Sequence, residues 1–506
     1  MQEAGQKKLQ DIPEQKQEGS RFARVSECDG QKPRYAWIYA LLPVLGLLFT
    51  VWYIKAASAD VIYSDYIRLV DAYLPDVTNP AKFFVPDLFT RVPAAFLQRL
   101  INVKLFGFSV TFDRLCTAAG LFLCGAVLAA YARRMRLSLA WYGAVMLLLF
   151  SLNKWEILLN GTAWAHVVSF GLFFLNYLLL DIVYQQSGAM RKSKEALLFG
   201  VLCLFPLVIL QFAGEYIAAY AGVMFLACLY GMAAKKIEQG RHAKWDMRYL
   251  GPLLSVLLAF FIYLMSRHFA VWEHAGATSL SFGEAMAKEP LFLPRFFIKS
   301  FAGAVLGQET IQNFFGPDKA LPDAAVLLLG LFVIGLYLTA IILYVKRRMY
   351  EVTLFPMILL LSGGMNHVIV TIGRWIFLKE SYALSSRYSA QFMVGLLGIL
   401  LIFGLERRFQ SCRETAQHAR RRLQKILTVL TVFILSGICY TTWQEMKKAP
   451  YREENYEEMI VMLKNSETYT AEELCQRLDW HKDPADLYEA IGILRNNRLN
   501  VFREGA

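Results

Sequence analysis

Along the chain, apolar runs of about the 20 residues that a helix needs to cross the hydrocarbon core alternate with polar connections. They fall at residues 35–54, 115–131, 139–152, 163–184, 197–212, 216–234, 249–265, 324–345, 352–372, 390–405 and 426–443. This pattern predicts an all-α polytopic integral membrane protein of about 11 transmembrane helices. The runs at 139–152 and 197–212 are the thinnest, and one span more or fewer would reverse the topology after it. In the first long connection, residues 60–74 place apolar residues three and four apart, which predicts an amphipathic helix. Pro75, Pro80 and Pro86 break it, and residues 94–106 read as a second interfacial helix. The connection 266–323 is aromatic and broken by prolines. Phe282, Phe292, Phe296, Phe297, Phe301, Phe314 and Phe315 predict another interfacial layer there. Residues 1–34 form a polar tail, and 444–506 a small tail with helical patterning at 456–463 and 485–494, suited to capping the outer loops or recruiting a partner.

Of the 506 residues, 56% are hydrophobic and 19% charged, so no soluble catalytic domain of ordinary size fits, and any chemistry is built from membrane helices and their loops. The net charge of +12 sits in clusters beside alternate spans: Arg133/Arg134/Arg136, Arg191/Lys192/Lys194, residues 235–248, Lys346/Arg347/Arg348 and residues 407–425. That is a topology signal and excludes nucleic acid as the partner. It places the N-terminus and these clusters in the cytoplasm, at the plasma membrane. The loops 55–113 and 266–323 then lie outside, as does the C-terminal tail if the span count is odd. The eight cysteines form no CxxC or Cys/His spacing, so neither a disulfide framework nor a zinc site is expected.

Chemistry is expected at the outer mouths of the spans. Asp60, Asp65 and Asp71 follow the first span, where a carboxylate can act as general base or help hold a divalent cation, and Asp65 gains from its neighbours Tyr63, Tyr66 and Arg68. Glu156 lies between apolar residues after the third span, either as a desolvated acid/base group or as the partner of Lys154. Arg387 presents a planar fork suited to a phosphate, with Tyr388 beside it. His166 and His367 lie in or beside spans, where interior hydrogen bonding is the ordinary role. A lone acid such as Glu215 would serve a proton-coupled transporter or a flippase for lipid-linked sugars. A non-enzymatic envelope assembly protein is the third class. No internal repeat is evident, which weighs against a repeat-built transporter.

Four short stretches carry a resemblance. They are Ser64-Asp65-Tyr66 with Val103-Lys-Leu-Phe-Gly-Phe108, Phe150-Ser151 with Trp155-Glu-Ile-Leu-Leu-Asn-Gly161, Ser385-Ser-Arg-Tyr388, and Ala490 to Phe502 in the tail. Together they resemble bacterial multi-spanning membrane proteins grouped with the GT-C type glycosyltransferases. The resemblance implies sugar transfer from a polyprenyl-phosphate-linked donor to a glycan, lipid or protein acceptor on the outer face. It makes Asp65 the essential acid with Asp60 in reserve, Glu156 a second acid, and Arg387 a phosphate contact. Residues 85–91, with Asp87 and Arg91, depart from the His/Asn-rich segment of the pattern, so either these two take over that surface or the active site has drifted or been lost.

Overall fold

The computed structural model of the chain describes residues 36–80, 82, 92–185, 191–240, 242, 244–268, 277–307, 310–311, 323–406, 409 and 417–503. The N-terminal tail, Asp87, Arg91, Phe314 and Phe315 lie outside the described residues. Among the described residues every regular element is a helix. In chain order they are α1 Ile38–Ala57, α2 Asp65–Tyr73, α3 Val92–Phe106, α4 Val110–Arg134, α5 Leu139–Leu149, α6 Trp155–Leu159, α7 Trp164–Gln185, α8 Lys192–Ala213 and α9 Ile217–Gln239. There follow α10 Leu250–Arg267, α11 Phe282–Lys288, α12 Phe292–Gly303, α13 Asp323–Lys346, α14 Phe355–Arg374, α15 Ser386–Glu406, α16 Gln417–Lys464, α17 Ala471–Arg477 and α18 Pro484–Asn496.

Ten stretches among the described residues are long and apolar enough to cross a membrane, so the chain is an all-α, multi-pass membrane protein. One of them, Lys192–Ala234, holds two helices, α8 and α9, joined at Gly214, whose φ of 53° favours a residue without Cβ. The two run antiparallel: Arg248, just before α10, pairs with Glu195 at the start of α8, and the Asp246 amide donates to the Met232 carbonyl of α9 at 3.0 Å. The thin run at 139–152 has a different solution. Helix α5 is 11 residues, about 16 Å, and too short to cross. Short 3₁₀ turns and α6 complete the passage to Leu159, and this irregular backbone is tolerated because it is wrapped in protein. There the Leu152 amide donates to Thr442 Oγ1 at 3.1 Å, and Asn153 Nδ2 to the Val305 carbonyl at 3.0 Å.

One face of the bundle carries the basic clusters. On it Tyr142 donates to the Tyr39 carbonyl at 2.7 Å, and Arg134 to Gln185 at 2.8 Å. Nearby, buried Asp181 accepts from the Leu354 amide at 2.6 Å and the Thr353 hydroxyl at 3.0 Å, a carboxylate on the positive end of α14. In mid-bundle α14 and α15 cross so closely that a Cβ on Gly363 would overlap the backbone of Gly395.

One expectation is corrected. Helix α12 is not an interfacial layer: Phe292, Phe296 and Phe301 are buried, and Phe301 stacks on His367 with ring centres 3.7 Å apart. Its aromatic residues fill a wedge between α13 and α14 that a span-by-span reading cannot see. The tail expected from residue 444 continues the last span without a break. Helix α16 runs unbroken for 48 residues, about 70 Å, so its second half stands out of the bundle as a stalk. The stalk, α17 and α18 pack on α2 in a second, smaller apolar core that includes Tyr66, Ile67, Val70, Leu463, Leu487 and Ile491. The Ser64 amide donates to the Leu478 carbonyl at 2.7 Å, and the Asn500 amide to the carbonyl of Gly107, a glycine at φ 67°, at 2.8 Å. First loop and tail thus fold together as a cap on the face opposite the basic clusters.

Candidate functional site

Between this cap and the bundle lies a cavity of about 1020 Å³. Its walls come from α2, α3, the 156–166 turn, the Gly214 turn, α10, the facing ends of α14 and α15, and the 478–482 loop of the tail. Of the residues singled out in the sequence, Asp65, Arg68, Glu156, Arg387 and Tyr388 line it, as do His166 and Glu215.

Glu156 and Arg387 are partners. Arg387 donates to Glu156 Oε1 through Nε at 2.7 Å and lies 2.6 Å from it through Nη2, while Ser386 Oγ donates to Oε2 at 3.2 Å and Ser385 Oγ at 3.4 Å. The Ser-Ser-Arg sequence therefore works as one unit, two hydroxyls and a fork around one carboxylate. Glu156 is not the solitary desolvated acid that its apolar neighbours imply, and it does not pair with Lys154. That lysine turns into the bundle and donates to the Ser151 carbonyl at 2.7 Å. Asp65, the first residue of α2, is exposed and acts electrostatically on Arg387 across the cavity.

Asp60 and Tyr66 do not line the cavity. Asp60 Oδ1 accepts from the amides of Val110 and Thr111 at 2.6 and 3.0 Å, fixing the start of α4. Tyr66 is buried and donates to Asp113 Oδ2 at 2.8 Å. Burial, and next the Asp113 carboxylate, push the Tyr66 hydroxyl well above the ordinary phenol pKa, so it stays a donor. Asp113 is the hub of this layer: Asn102 donates to it at 2.6 Å, Gln98 also donates, and Arg99 pairs with it at 3.1 Å. Next to it, buried Arg114 donates to the carbonyls of Leu159 and Ala59, both at 2.7 Å, tying α4 to both sides of the site.

Arg374 is the main residue that the sequence reading missed. It closes α14 with its guanidinium 5.3 Å from the Tyr388 ring centre and 3.9 Å from Glu215, so it lines the cavity beside Arg387. Asp113-Arg114 and Arg374, charges at the ends of apolar runs, were the available signals. His367 takes the ordinary interior role, bonded to Ser300 at 2.8 Å. Among the described residues no group of three or more His, Cys, Asp or Glu side chains is placed to hold a metal ion. The carboxylates of Glu156 and Glu215 are turned to arginines, a donor set suited to positioning cations of the protein itself.

No protein-family model, no curated protein and no solved structure matches the chain.

Proposed function

We propose that the cavity is the active site of a membrane glycosyltransferase that moves a sugar from a polyprenyl-phosphate donor to an envelope glycan, lipid or protein acceptor. The observation that carries this reading is a large cavity at one end of the bundle in which a carboxylate faces arginines and part of whose wall is apolar. Phe260, Tyr263 and Leu264 on α10 and Ile369 and Ile372 on α14 line it, and Leu264 and Ile372 are exposed. A prenyl chain enters between these helices, with its phosphate at Arg374 and Arg387. The basic clusters on the opposite face support, through the positive-inside rule, a cavity that opens on the outer side of the plasma membrane.

In the proposed reaction Asp65 takes the proton of an acceptor hydroxyl as its oxygen attacks the anomeric carbon. The bond from that carbon to the phosphate oxygen breaks, and the arginines stabilise the charge left on the prenyl phosphate. Glu156 is then a positioning residue that aims the Arg387 fork. The test compares envelope glycans and polyprenyl-linked sugars by mass spectrometry in a deletion strain and in strains complemented with the parent or with Asp65→Asn at equal level. One sugar should vanish from an envelope polymer in the deletion and the Asp65→Asn strain while its lipid-linked donor persists. Full restoration by Asp65→Asn removes the base, and unchanged glycans in the deletion remove the transferase.

A further inference from the structure

The donor reading leaves the cap side of the cavity unused, and its chemistry is distinctive. Arg68 on α2 and Lys482 on the tail loop line it, and among the described residues neither has an acidic partner. Arg99 on α3 lines the same side but is already engaged, paired with Asp113 at 3.1 Å and packed over the rings of Tyr73 and Phe108 at 5.8 and 4.9 Å from their centres. Trp480 has its indole N–H committed to the Asp483 carbonyl at 2.8 Å, which leaves the ring to pack, and Tyr73 lines the cavity with it. The bond between the Ser64 amide and the Leu478 carbonyl holds this loop beside Asp65.

The membrane side sets Glu156 and Glu215 against Arg387, Arg374 and Arg267, and a donor phosphate there would answer the cation in excess, whereas the cap side sets only Asp65 against Arg68 and Lys482. A single donor phosphate at the membrane side leaves Arg68 and Lys482 without an acidic partner, and so would a neutral acceptor. We propose that the cap side is the acceptor subsite, and that it takes an anionic acceptor, a carboxylate- or phosphate-bearing sugar or polyol laid against Trp480 and Tyr73. This rests on the transferase reading and names the acceptor class for it.

The test is equilibrium binding to the full chain in lipid nanodiscs. Three probes of matched length are used: oligogalacturonate, oligo(glycerol phosphate) and a neutral malto-oligosaccharide. At least one anionic probe should bind more tightly than the neutral one, and the one that does distinguishes carboxylate from phosphate. Arg68→Gln and Lys482→Gln should each weaken it about tenfold. Lys482→Arg should stay near the parent, and Lys464→Gln, an exposed stalk lysine outside the cavity, should leave binding unchanged. Equal binding of the neutral probe, no binding of either anionic probe, or indifference to both Gln substitutions overturns the proposal. A long-chain polyprenyl phosphate titrated into the same discs keeps the two readings apart. If it binds while the anionic probes fail, only the acceptor inference falls; if it does not bind, the donor reading falls on its own.

Discussion

At the scale of single residues the site depends on which carboxylates are committed and which is free. Glu156 is held by Arg387 and two serines, whereas Asp65 stands exposed at the head of α2. Glu156→Gln keeps the shape and removes the charge that aims the fork, so transfer should fall by about one to two decades, the scale of one charge-assisted contact. Its pH–rate profile should stay that of the parent, because the proposed base is untouched. Loss as complete as that of Asp65→Asn, with the acid limb of the profile gone, would make Glu156 the base instead. Arg387→Lys should cost a similar factor, since an ammonium cannot reproduce the two-nitrogen grip. Asp65, Glu156 and Arg387 were legible because charges at the mouths of apolar runs are conspicuous. Their pairing was not, because the partners are more than 200 residues apart in sequence.

At the scale of elements, crossings and caps set where those residues stand. Asp113 joins α2, α3 and α4 through Tyr66, Arg99 and Asn102, all buried. Asp113→Asn leaves Arg99 a buried, unanswered charge, and a loss of about 3–5 kcal/mol is expected, read as a lower unfolding temperature in detergent. Gly363→Leu should cost about 1–3 kcal/mol by forcing α14 off α15, with activity falling too because those helices carry Arg374 and Arg387. The apolar runs foretold nearly every crossing, and the periodicity of residues 60–74 gave α2, which forms at Asp65–Tyr73. What the runs could not show is where hydrophobicity serves protein and where it serves lipid. The phenylalanines of α12 look interfacial in sequence and are interior in the fold, and the short run at 139–152 is a broken crossing whose irregular half delivers Glu156.

At the scale of the whole molecule the tail and the first loop act as one body. Asp71 on α2 faces Asp486 and Glu489 of α18, with Lys82 the opposing cation. Burial first, then those two carboxylates, push its carboxyl up from 3.8 to about 7. A raised carboxyl favours the docked cap when protonated, so this contribution is complete below about pH 4 and is lost as pH climbs to about 7. Amide exchange in Pro484–Asn496 should therefore be slower at pH 5 than at pH 8, after correction for intrinsic rates, and Asp71→Asn should flatten the difference. An unchanged difference in that variant assigns the effect elsewhere. The central claim is that a prenyl phosphate enters the cavity between α10 and α14. A diazirine-bearing polyprenyl phosphate, photolysed with the chain in nanodiscs and mapped by peptide mass spectrometry, tests it most directly. Labelling should concentrate on Phe260 to Arg267 and Ile369 to Arg374 and should be competed by unlabelled polyprenyl phosphate. Labelling spread over the lipid-facing sides of α1 and α13, and indifferent to competitor, would contradict it.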